Sequence, residues 1–65
     1  MKQPQGADEL RVAATHVENA AYDLAAMVES ELVSEMIIIS AELERLADQV
    51  EQRLQAESRN VKNRI

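Results

Sequence analysis

Residues Ser34–Leu54, SEMIIISAELERLADQVEQRL, carry the strongest periodic apolar signal in the chain. Met36, Ile39, Leu43, Leu46, Val50 and Leu54 follow one another at steps of three, four, three, four and four residues, which aligns them on one side of an α-helix. A helix of this kind has to bury its stripe, so the rest of the sequence must supply a surface for it.

Upstream, Leu10, Ala13, Ala14, Val17, Ala20, Ala21, Leu24, Ala25, Met27 and Val28 fall within an arc of roughly 160° when each residue turns the helix by about 100°. That arc is wider than a two-stranded seam requires, and its alanines let neighbouring helices come close. Asp8 and Glu9 favour a helix start there, Asp8 as the cap and both as negative charge at the positive end of the helix dipole.

Between the two periodic segments the phase slips. Leu10, Val17 and Leu24 are spaced by seven, as are Leu32, Ile39 and Leu46, but Leu24 and Leu32 are eight apart. Glu29, Ser30 and Glu31 are consecutive polar residues, and Ser34 is a candidate cap for a second helix, so a turn is expected within Ser30–Ser34 although neither Gly nor Pro marks it. A fold-back about residue 32 sets Leu10 against Leu54, Ala14 against Val50, Val17 against Ala47 and Ala21 against Leu43, all apolar pairs.

The expected fold is therefore all-α: a two-helix antiparallel hairpin, helices about 8–29 and 35–58, dimerising into a four-helix bundle. Its dimer core would be Leu10, Val17, Leu24, Met36, Ile39, Leu43, Leu46 and Val50. The alternative is a single long helix forming a coiled coil, with a skip in its seam. Residues 1–6 read as a flexible lead carrying Pro4 and Gly6, residues 7–59 as the helical domain, and residues 60–65 as a frayed basic tail.

Totals narrow the function classes. At 65 residues the chain is near the size where one copy struggles to bury enough apolar surface, which favours a second copy. There are no cysteines, so disulfides and thiolate metal sites are excluded. No apolar segment approaches the roughly 20 residues needed to span a bilayer, and the expectation is a cytoplasmic protein without a membrane partner. Ala7–Gln52 holds eleven acids and two bases, net −9, whereas Arg53–Ile65 holds four bases and one acid, net +3. A body this acidic repels nucleic acid and anionic lipid.

Catalytic chemistry finds no support in the sequence. His16, the single histidine, lies off the apolar arc with no carboxylate three or four residues away, so a helical metal-ligand pair is missing. No Gly-rich phosphate loop occurs. The sequence calls for no enzyme activity, no cofactor, no metal and no small-molecule substrate. The basic cluster Arg53, Arg59, Lys62 and Arg64 is suited to phosphate contacts, which makes a nucleic-acid-binding regulator the alternative function, although no aromatic residue lies nearby to stack on a base.

Met36–Ile39 contains four consecutive apolar residues, which cannot all face one side of a helix. Ile38 lands almost opposite the stripe and Ile37 about a quarter turn from it, and covering them would stabilise by roughly 1.5 to 3 kcal/mol each. Together with Tyr22, the only aromatic, they are the candidate partner-binding residues. The function expected is a small acidic, non-enzymatic protein–protein interaction module, a regulator, inhibitor or chaperone-like protein, acting as a homodimer.

Overall fold

The structure, a computed structural model, describes residues 5–63, with side chains described as far as Glu57. It is all-helical: α1 runs Gly6–Leu24, α2 runs Ser30–Asn63, and the two pack against each other as a hairpin. The single long helix is thereby replaced by the fold-back. Most of the lead expected to be flexible lies outside the described residues, and the tail expected to fray from residue 60 is helical as far as Asn63.

The turn comes earlier than Ser30–Ser34. It occupies residues 25–29, where Met27 N donates to Leu24 O at 2.8 Å and Val28 N donates to the same carbonyl at 3.1 Å. Short-range bonds of this kind tighten the last turn of α1 and satisfy carbonyls that would otherwise lack a partner. Glu29 O then accepts from Leu32 N at 3.0 Å and Val33 N at 3.3 Å, which starts α2. The polar run Glu29–Glu31 is thus the beginning of a helix, with Glu31 in its first turn beside the positive end of the dipole. Ser34 lies inside α2 and caps nothing. No described residue has positive φ, and Ala25 keeps right-handed helical geometry, so the reversal needs no glycine.

The start of α1 also differs. Gln5 occupies the cap position without a side-chain hydrogen bond, its carbonyl accepting from Glu9 N at 2.9 Å, and Asp8 sits in the first turn instead of capping it.

Ion pairing fixes the register. Arg11 reaches Asp48 and Glu51 on α2, whereas a fold-back about residue 32 would have placed it opposite Arg53. The earlier turn slides α2 along α1 and brings small residues together. Ala7, Ala14 and Ala21 on α1, and Ser40 and Ala47 on α2, are the buried residues among those described, at 6% exposure or less. Each set repeats every seven residues, so one narrow strip of each helix stays in contact along its length. Ser40 satisfies its hydroxyl within its own helix, donating to Ile37 O at 2.8 Å.

Among the described residues no large side chain is fully buried. The Cα atoms span 57 × 20 × 8 Å, so the hairpin is a single layer two helices wide.

Candidate interaction surface

The hairpin's two broad sides differ in chemistry, and the Arg11 ion pairs identify which is which. Arg11 lies about 60° round α1 from buried Ala14, and Asp48 about 80° round α2 from buried Ser40, at 100° per residue. Because these two side chains meet, they mark one side of the seam. Residues displaced the other way from Ala14 and Ser40 mark the opposite side.

The Arg11 side is charged. Arg11 Nη2 donates to Asp48 Oδ1 and to Glu51 Oε1, both at 2.8 Å, and Nη1 donates to Glu51 Oε2 at 3.3 Å, so the guanidinium grips Glu51 with both forks. Asp8, one turn earlier, adds a carboxylate at 3.7 Å. The hydrogen bonds to Glu51 first and Asp48 second raise the Arg11 pKa further above its ordinary value. The side chain keeps 36% of its surface exposed, so the cluster is a solvent-facing clamp across the two helices. A second ion pair, Arg45 with Glu42, stays within α2 and lowers the Glu42 pKa, chiefly through the hydrogen bond that Arg45 donates.

Tyr22 and Ile37 belong to this same side. Each lies eleven residues, close to three helical turns, from Arg11 and Asp48 respectively. Tyr22 is 65% exposed and Ile37 half-buried. Ile38 is equally exposed at 65%, but it lies about 200° round α2 from Ser40 and so faces outward, away from α1. The three candidate partner-binding residues therefore do not form one patch on a single chain. Of the basic cluster, Arg53 is exposed, and the side chains of Arg59, Lys62 and Arg64 lie outside the described residues.

The opposite side is apolar. Leu10, Val17 and Leu24 stand about 40–80° round α1 from Ala14, and Leu32, Met36, Ile39, Leu43, Leu46 and Val50 stand about 40–120° round α2 from Ser40, all in the direction away from the Arg11 clamp. Within one hairpin they are only partly covered: Leu10, Val17, Met36 and Leu43 are half-buried, while Leu24, Leu32, Ile39, Leu46 and Val50 are exposed, Ile39 by 50%. All eight residues expected in a dimer core lie on this side, and Leu32 extends it toward the turn.

The alanines expected to let the helices come close do line the contact, but there they meet other small residues, Ala7, Ala14 and Ala21 on α1 with Ser40 and Ala47 on α2, and not the large partners expected from a fold-back about residue 32. The signal that identifies them is a seven-residue spacing of small side chains. Arg11 was equally visible as the one base between Lys2 and Arg45.

Among the described residues no group of His, Cys, Asp or Glu could hold a metal ion, and no helix is long and apolar enough to cross a membrane. His16 is exposed. No protein family, curated protein or solved structure matches the chain.

Proposed function

We propose that the protein is a non-enzymatic protein-interaction module that acts as a homodimer, two hairpins closing their apolar sides on each other to form a four-helix bundle. One observation carries this reading: a continuous apolar side runs from Leu32 to Leu54 on α2 and from Leu10 to Leu24 on α1, on a layer whose buried apolar residues, among those described, are all alanine. Stable domains are built from at least two packed layers. A single layer that buries mainly methyl groups gains too little to offset roughly 1.5 kcal/mol of conformational entropy per ordered residue.

Area supports a partner of this size. From Leu32 to Leu54 the stripe runs about 33 Å at 1.5 Å per residue, and two helices abreast are about 20 Å wide, giving ~650 Å² per chain against ~800 Å² for a standard interface. Polar residues bordering the stripe supply the remainder as a rim. In such a dimer the two Arg11 sides face outward, so the assembly offers Asp8, Glu18, Glu44, Asp48 and Glu51, with Tyr22, to a cationic protein partner.

Sedimentation equilibrium tests the reading. The wild type is expected at twice the 7.3 kDa of one chain, and Ile39→Lys, which places a charge in the middle of the apolar side, at the monomer mass. A fully helical wild type sedimenting as a monomer at millimolar concentration would overturn it.

A further inference from the structure

The charge along the hairpin's length is as uneven as the polarity across it. Near the turn stand Asp23, Glu29, Glu31 and Glu35, and no Lys or Arg occurs between Arg11 and Arg45. From Arg53 onward the sequence carries Arg53, Arg59, Lys62 and Arg64 against one acid, Glu57. The turn end of the hairpin is therefore acidic, and the sequence from Arg53 onward is basic.

Two hairpins can cover each other's apolar sides in two ways. With the two-fold axis along the helices, both turns lie at the same end and eight carboxylates crowd together with no cation among them. With the axis across the helices, the turns lie at opposite ends and the acidic start of each α2 approaches the level of Arg53 in the other chain. Like charges brought together destabilise an interface and opposite charges direct its register, so the two arrangements differ in sign.

Resting on the homodimer reading above, we infer that the second copy packs antiparallel, α1 over α1 and α2 over α2, with Glu35, near the acidic turn of each chain, beside Arg53 of its partner's α2. The apolar stripes define where the axis passes. On α2 the stripe from Leu32 to Leu54 is centred on Leu43, and on α1 the stripe from Leu10 to Leu24 is centred on Val17. These centres are at the same level: Arg11 is level with Asp48 and Glu51, so Val17, six residues nearer the turn, is level with residues 42–45. A single two-fold axis through that level covers both stripes at once.

The same axis makes a specific prediction at the edge of the interface. Glu35 and Arg53 are eighteen residues apart, a whole number of turns, so they occupy the same outer edge of the stripe on α2. They stand almost equidistant from Leu43 on either side. Antiparallel packing therefore brings Arg53 of one chain beside the partner's Glu35, twice by symmetry. Both residues are exposed in the single hairpin.

The cysteine-free sequence permits a direct test. A nitroxide on Ala26→Cys, in the exposed turn, gives one label per chain, and pulsed dipolar spectroscopy reads the separation between copies. The start of α2 at Ser30 is thirteen residues from the axis level, so antiparallel packing puts the turns about 40 Å apart at 1.5 Å per residue, and parallel packing, with one layer spacing of about 10 Å between the turns, puts the labels within about 20 Å. A separation near the longer value supports the inference. One near the shorter value overturns the orientation and leaves the dimer standing, whereas the absence of any dipolar coupling removes the dimer and the orientation together. Charge reversal adds an independent readout: Arg53→Glu is expected to weaken self-association at least tenfold in low salt, and Glu35→Arg on the same chain to restore it. Equal weakening by the single and double variants would overturn the Glu35–Arg53 contact.

Discussion

The seam between the helices and the apolar side beside it invert the usual relation between size and burial. Along the seam the smallest side chains, Ala14, Ala21 and Ala47, are essentially inaccessible, while on the apolar side the larger Leu24, Ile39, Leu46 and Val50 remain exposed. The two facts have one cause. Small residues let the helix backbones approach, and close approach leaves no room for large residues between them, so those are displaced to the flank. The hairpin contact and the larger apolar side chains thus reside in different places.

Substitutions that exchange the properties of the two regions test this separation. The largest effect is expected for Leu46→Lys on the apolar side: in the proposed dimer, burial of one such side chain contributes about 1.5–3 kcal/mol, and symmetry doubles the loss to about 3–6 kcal/mol per dimer. The midpoint of thermal unfolding, followed by circular dichroism across a range of protein concentrations, should fall sharply. A midpoint unchanged at every concentration would place the driving force elsewhere.

Ala21→Leu inserts bulk into the seam and should destabilise by about 1–3 kcal/mol in urea titrations. Its neighbour Ala20 is exposed, and Ala20→Leu should cost much less because it enlarges the apolar side. Equal losses at the two positions would mean that the seam is not the tight contact. Ser40→Ala should change stability by less than ~1 kcal/mol, since Ile37 O retains its place in the helix ladder when the hydroxyl is removed.

Smaller effects come from the charged side. Arg11→Ala should lower stability in low salt and approach the wild type in high salt, because the clamp is solvent-exposed and screened. Smallest of all, Arg45→Ala should return the Glu42 carboxyl upward to its usual range in an NMR titration. The sign for stability follows: the depressed Glu42 pKa contributes above its unfolded value, and that contribution disappears as pH falls through the folded one.

Much of the fold was legible in the sequence, since apolar steps of three and four residues define helices wherever they occur. The position of the turn was not. Glu29–Ser30–Glu31 interrupts the apolar pattern, but acidic and hydroxyl residues also suit a helix N-terminus, and that role prevailed. The register then followed the small residues, which an argument from large ones cannot weigh. For the candidate surface, periodicity identified the residues that share a side. It could not identify which part of a 160° arc the neighbouring helix would cover, because the seam alanines toward one edge of the arc and the leucines near its centre are both apolar and differ only in how closely a backbone can approach.

The glycine-free turn bears on how the chain folds. Only residues 25–29 separate α1 from α2, so closing the hairpin brings together segments that are already neighbours in sequence, at little entropic cost. Formation of the hairpin is accordingly a fast first-order event on the microsecond-to-millisecond scale of helical proteins. In the proposed dimer the hairpin is held only once a second chain covers its apolar side, so the observed rate of folding should rise with protein concentration.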